Sequence, residues 1–476
     1  MIVKFKESDV YSMFLWIINI LFIVTFLVWI NEYWNNSEIL YNYQFKLFPW
    51  VCALITVQIL SFFIKKVTIY DFALWFVIIS YPFMFGYLFR SVFSLDSMLI
   101  WNPVINYENR ELFHAYIFVI LALELFSFGY LLVYKKENRL KKYNLNKILP
   151  DKKVYRIGIA LFIIGGVSKL INDIQIIYFT QSLNSYSAYS EAVSSGILDD
   201  LAYLMLPGVF FIFFSGCIKE RSKKLMFIIV LVYLIFFMIL TGSRKIQIFS
   251  ILSIFLAYEF SLEKKRLSIS RIVVYTFMAI ISLNILIIIR DYRFELESIG
   301  PRIVEKLFSF NLFENIIGEI FAETGITLLS VASIIKLVPD IMPYQYGLTY
   351  LRTLPSFLPI GWIVGDFFNL ASSTYVINTY TRIPVGSSFI GDLYWNWGYV
   401  GGGLSAFIFG IIISKLININ DKYNIRKGYA MYFSMFSLLI ILVRSELFDV
   451  YRPIIILIVF VFIFEQFKII IRKERK

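Results

Sequence analysis

Leu225-Met226-Phe227-Ile228-Ile229-Val230-Leu231-Val232-Tyr233-Leu234-Ile235-Phe236-Phe237-Met238-Ile239-Leu240 runs without a polar break, between the basic link Lys219–Lys224 and the turn Thr241-Gly242-Ser243-Arg244-Lys245. About 20 such residues in a helix span a hydrocarbon core of about 30 Å. One such run alone is also compatible with the core of a soluble bundle, but comparable runs recur along the chain with only short polar connections. The 476 residues are 59% hydrophobic, with a mean hydropathy of +0.74. An ordinary soluble enzyme is excluded. The chain reads as an all-α, polytopic integral membrane protein forming one membrane domain over 1–476.

About twelve spans are expected, near 12–30, 47–64, 72–93, 112–134, 155–177, 201–218, 225–241, 245–261, 271–289, 388–414, 429–443 and 453–471. The first has no cleavage-site pattern behind it and reads as a retained start-transfer anchor. The net charge of +12 does not point to nucleic acid. The bases cluster in links: Lys65-Lys66, Lys135 to Arg156, Lys219 to Lys224 and Lys264-Lys265-Arg266. This is the positive-inside pattern. It places both termini in the cytoplasm and the protein in an inner membrane. Cys52 and Cys217 fall in expected spans and His114 is the only histidine, so no Cys/His metal set or Cys–His nucleophile is formed. His114 reads as a helix-end residue.

From Arg290 to about Ser388 the regular spacing of spans stops. Charge bias puts this stretch on the external face. The interrupted segment Ile316–Leu337, with Glu319, Glu323 and Gly325, is expected as a helix at the surface or dipping in and out under protein cover. Pro355, Pro359, Gly361 and Gly365 mark structured loop. The stretch ends in Gly391-Asp392-Leu393-Tyr394-Trp395-Asn396-Trp397-Gly398. Arginines here run against the bias of the rest of the chain: Arg244, Arg290, Arg293, Arg302, Arg352, Arg382 and Arg444, with Arg90 and Arg110. The guanidinium fork binds phosphate oxygens bidentately, and charges at spans are usually functional. The competing reading is pairing with Asp291, Glu295 or Glu446, or with lipid headgroups. Tyr394, Trp395 and Trp397 belong either to an interfacial belt or to a face that stacks on sugars.

Thr241-Gly242-Ser243-Arg244, the long external loop and Ser387-Ser388-Phe389-Ile390-Gly391-Asp392 through Gly398 resemble the bacterial oligosaccharide repeat-unit polymerases, the Wzy-type polymerases of O-antigen and capsule. The resemblance implies a metal-independent glycosyltransferase without cofactor, polymerising undecaprenyl-pyrophosphate-linked repeat units at the outer face of the cytoplasmic membrane. Its implied partners are that lipid-linked oligosaccharide, the bilayer, a chain-length regulator and a repeat-unit flippase. Arg244, Arg290, Arg293, Arg352, Arg382 and Arg444 are then the pyrophosphate candidates. Arg290 is also placed in catalysis, and Tyr394, Trp395 and Trp397 face sugar. The leaving pyrophosphate gathers negative charge, which fixed cations stabilise in the transition state. The attacking hydroxyl needs a proton acceptor: Asp392 and Glu323 first, Glu319 and Asp366 behind them. No D-x-D motif asks for a metal. The alternatives are an O-antigen-ligase-like transferase and a flippase of the same lipid. The latter should show repeated halves, which this chain lacks.

Overall fold

The computed structural model describes residues 7–34, 41–95, 103–134, 148–182, 197–241, 245–262, 312–358, 365, 367–383, 385–417 and 424–474. They form helices, with no strand among them. In order these are α1 (Glu7–Tyr33), α2 (Tyr43–Ile64), α3 (Phe72–Val92), α4 (Asn109–Leu132), α5 (Lys152–Ser182), α6 (Ile197–Ala202), α7 (Met205–Ser215), α8 (Glu220–Thr241) and α9 (Lys245–Ser261). There follow α10 (Leu312–Gly325), α11 (Leu328–Leu337), α12 (Leu348–Thr353), α13 (Ser373–Thr381), α14 (Phe389–Ile417), α15 (Ile425–Leu439) and α16 (Leu447–Glu474). The chain is an all-α polytopic membrane protein: eleven helical stretches among the described residues are long and apolar enough to cross a bilayer. Ten lie at expected positions and the eleventh is Ile317–Leu337. The expected span at 245–261 is a shorter apolar helix, and the one at 271–289 lies outside the described residues.

The α10–α11 stretch corrects one alternative. It is not a helix on the surface: α10 packs on α3, and α11 packs on α4 and α14. Ala322, Leu328, Leu329, Val331, Ala332 and Ile334 are buried there. Its apolar side chains therefore gain protein contacts rather than lipid or water contacts, and the segment belongs to the bundle. Cys217 is a smaller correction, since it follows the left-handed Gly216 at the end of α7 rather than lying within a span.

Helix α4 is the most buried of the crossing helices and α14 lies along it. Lipid tails are as apolar as leucine, so helix association in a bilayer depends on close backbone packing. Two glycines provide it here. A Cβ at Gly129 would lie 2.1 Å from the Phe407 carbonyl oxygen, and one at Gly410 would lie 2.2 Å from that of Phe126.

The two ends of the bundle differ. At the basic end Arg426, itself buried, donates through Nε to Leu149 O (3.0 Å), Nη1 to Phe214 O (2.9 Å) and Nη2 to Ile148 O (2.7 Å). The cation thereby meets a carbonyl at the C-terminal end of α7, where the helix dipole is negative. Asn424 donates to Asp151 there (2.6 Å), and Lys427 pairs with Glu465 (2.7 Å). The opposite end holds the first turns of α4, α6, α9, α14 and α16. That is where the irregular segments gather.

A Val at Gly410 is expected to prevent assembly of α14 on α4, whereas Gly166→Val, at a position with open space around it, is expected to be neutral. Overpacking of this kind costs about 3 kcal/mol or more. Fluorescence-detected size exclusion and thermal unfolding in detergent check it, with a lower melting temperature or aggregation for the first variant only.

Candidate functional site

Three segments meet at the end opposite the basic links: 372–374, 387–396 and, from much later in the chain, 445–447. Each is a helix start, where backbone N–H groups lack internal partners. Ser372 caps α13 by accepting the Tyr375 N–H at 3.1 Å. Ser388 accepts the Gly391 N–H at 3.2 Å in the first turn of α14, and Ser330 of α11 donates to the same hydroxyl at 2.9 Å. Glu446 directly precedes α16.

Asp392 and Glu446 face each other across Ser373. The carboxylates are 5% and 3% exposed. Glu446 accepts from Ser372 Oγ (2.5 Å), Ser373 Oγ (2.8 Å) and Thr374 N–H (3.0 Å). Asp392 accepts from Ser373 Oγ and from Leu447 N–H, the latter at 2.9 Å, and Ser387 Oγ also touches Ser373 Oγ. A serine hydroxyl has one proton to donate. It satisfies only one of two ionised carboxylates, and two such charges in one dry site repel. The geometry therefore accommodates one additional proton, as in a carboxylate dyad. Burial, and next the charge of Asp449, push the Glu446 carboxyl up to about 7, against the hydrogen bonds from Ser372, Ser373 and Thr374. Of the serine hydroxyls here, Ser372 is half-buried whereas Ser373 and Ser387 are buried, so Ser372 is the hydroxyl exit of this network toward solvent.

The next two turns of α14 hold a loop. Gly398 has φ 63° and ψ −158°, outside the helical region, so α14 breaks there. The carbonyls of Trp395 and Asn396, which would otherwise accept from residues 399 and 400, accept instead from the N–H groups of Gln345 (3.1 Å) and Tyr346 (2.9 Å). Asn396 Oδ1 accepts from Gly347 N–H and Thr349 Oγ (3.0 Å each), and its Nδ2 donates to Asp392 O at 2.8 Å. Asn396 thus fixes α12, and with it Arg352, relative to Asp392.

The sequence candidates are distributed unevenly around this centre. Arg244, Arg290, Arg293 and Asp366 lie outside the described residues. Arg352 donates through Nη1 to Gln345 Oε1 (3.1 Å) and Leu370 O (3.2 Å). Arg382 ends α13 in a left-handed conformation, and Arg444 lies over the Phe83 ring at 5.9 Å. None of these three has a carboxylate partner among the described residues, so the anticipated pairing with Glu446 is not what holds Arg444. Glu323 acts electrostatically on Tyr87, whereas Asp392 senses Glu446 and Asp449. The two proposed proton acceptors are not brought together. Tyr394 and Trp395 are packed in the core, Trp395 being 1% exposed, and only Trp397, at 38%, keeps a face open. Burial leaves the first two rings no surface on which a sugar can stack. His114 Nδ1 lies 2.8 Å from the Tyr399 hydroxyl, a packing role.

From sequence Glu446 is read only as a partner for an arginine, and Ser373 is not singled out. The signals available were a carboxylate immediately before an apolar span and a Ser-Ser pair at a helix start. No group of three or more His, Cys, Asp or Glu side chains among the described residues is placed to hold a metal ion. The family model described as O-antigen polysaccharide polymerase Wzy matches residues 13–474. Among curated proteins and among solved structures nothing matches the chain.

The near-isosteric substitution Asn396→Leu is expected to release the 345–353 loop while α14 stays on α4. Hydrogen–deuterium exchange should show amides 345–349 exchanging about tenfold faster or more, with residues 402–414 unchanged.

Proposed function

The chain belongs to the O-antigen polysaccharide polymerase Wzy family, and from that premise we propose how its polar end carries out polymerisation. The donor is a glycan on undecaprenyl pyrophosphate and the acceptor a second lipid-linked repeat unit, both presented at the outer face of the cytoplasmic membrane. The acceptor hydroxyl attacks the anomeric carbon, the bond from that carbon to the pyrophosphate oxygen breaks, and the hydroxyl proton passes to the carboxylate pair. The observation that carries this reading is the pair Asp392–Glu446 around Ser373, with Arg352, Arg382 and Arg444 having no carboxylate partner among the described residues.

Asp392 is covered by Ser373 and Leu447, so the proton enters through Ser372 and Glu446 and is shared with Asp392 through Ser373. Arg352, Arg382 and Arg444, together with Arg244, Arg290 and Arg293, stabilise the departing pyrophosphate. Its charge is met by guanidinium groups, and no step draws on a metal ion. Trp397 offers the open aromatic face to sugar. Ligase and flippase readings use the same lipid but do not lengthen the glycan.

A proton acceptor must be ionised to act. A carboxyl raised to about 7 loses this capacity as pH falls through 7, rather than near 4.5. Polymerisation is therefore expected to fall about tenfold per pH unit below 7, and to be cut about 100-fold or more by Glu446→Gln, which abolishes that pH dependence. Initial rates of chain extension against pH check this; an unchanged profile in the variant contradicts it. Arg352→Ala is expected to leave surface glycan as short units with the protein still inserted, and Arg352→Lys to rescue poorly because lysine lacks the fork. Electrophoretic length profiling of the glycan reads both.

A further inference from the structure

Helix α12 and the 3₁₀ turn that follows it, Leu354–Phe357, are amphipathic in the opposite sense to a loop in water. Leu348, Leu351, Leu354 and Leu358 recur at spacings of three and four, so they share one face, and they are between 43% and 60% exposed. The other face is polar and turned inward: Thr349, Thr353 and Ser356 are buried. Their hydroxyls donate to Asn396 Oδ1 (3.0 Å), Thr349 O (2.8 Å) and Thr353 O (2.6 Å) respectively, so none needs water. Arg352 Nη1 donates to Leu370 O at 3.2 Å, and Leu370 and Phe367 are exposed as well. A soluble surface rarely leaves an apolar patch of this kind open. Leucines outside and hydroxyls inside suit hydrocarbon.

We propose that residues 348–358 lie in the bilayer surface, with the four leucines among the acyl chains of the leaflet at this end of the bundle and Arg352 at the level of the lipid phosphates. Three observations favour lipid as the occupant of the face. Both α12 and the 3₁₀ turn pack on α16, whose crossing stretch begins at Leu447, so the leucines stand beside a membrane-crossing helix. From Leu348 to Leu358 the element is about 16 Å long, roughly half of a hydrocarbon core of about 30 Å. It is too short to cross and has the character of an interfacial helix. Arg352 is half-buried and has no carboxylate partner among the described residues. Lipid phosphates supply the complementary charge while the arginine stem stays on apolar surface; a protein partner covering the leucines would have to bring an anion of its own. The contact bears on the reacting centre. Asn396 ties α12 to Asp392, so the depth of the leucines sets the depth of Arg352 and of the carboxylates together. That a lipid-borne pyrophosphate is presented at this depth rests on the polymerase reading; the bilayer contact does not.

The test uses the full-length protein in phospholipid nanodiscs, with Cys52→Ser and Cys217→Ser as background and one nitroxide-labelled cysteine at a time. Leu351→Cys and Leu354→Cys report on the stripe. Phe462→Cys, on the exposed side of α16, is the lipid reference, and Lys219→Cys, in a basic link, is the water reference. Collision with oxygen, which concentrates in hydrocarbon, and with a water-soluble nickel chelate is read by power saturation. Labels at 351 and 354 are expected to follow 462, with oxygen collisions high and nickel collisions lost. Nickel collisions as frequent as at 219 overturn the proposal. Shielding from both reagents overturns it too, since a second copy of the chain or another protein segment then covers the stripe. No glycan enters this measurement, so its failure is distinct from failure of the polymerase reading, which shows as wild type that does not extend chains.

Discussion

Ser373 lies within hydrogen-bonding reach of two buried carboxylates, Asp392 and Glu446, and the irregular end of the bundle is organised around that contact. Two carboxylates in a dry site repel unless a proton or a donor stands between them. Here the donors are the first turns of α13 and α16, together with Ser372 and Ser373. Each turn has N–H groups that a helix leaves free. Residues 372–374, 387–396 and 445–447 therefore hold one another in place, and a substitution in any one of them disturbs all three.

The same economy explains the loop that carries Arg352. A helix through Gly398 would keep the carbonyls of Trp395 and Asn396 for itself. The break at Gly398 releases them to Gln345 and Tyr346, and Asn396 completes the attachment. Non-helical backbone at this depth is tolerated because its groups are paired within the protein. The result is a rigid scaffold that keeps the α12 arginine at a fixed distance from the carboxylates.

The architecture was readable from runs such as Leu225–Leu240, since lipid makes the same demand of every residue in a span. Gly391-Asp392 was readable too, as a carboxylate in an apolar segment. Glu446 was not, because its meaning lies in a partner 54 positions earlier; from sequence it looked like a counterion for Arg444 two residues away. Arg444 instead lies over Phe83. Segment 317–337 shows the limit of charge counting: Glu319 and Glu323 suggest a helix at the surface or one dipping in and out, whereas its apolar residues are packed within the bundle against α3 and α4. The aromatic run divides similarly, since hydropathy does not distinguish buried Trp395 from half-open Trp397. Arg244, Arg290 and Arg293 stay candidates on the strength of their residue type and of the family.

We propose that this chain alone joins lipid-linked repeat units, with the acceptor proton taken by a buried carboxylate pair. The most direct measurement is reconstitution of the purified protein in liposomes with the lipid-linked repeat unit as sole substrate, followed by electrophoretic sizing of the glycan. A ladder of lengths increasing by one repeat unit is the predicted result. Single units that persist, whether unchanged or moved across the bilayer, would contradict it.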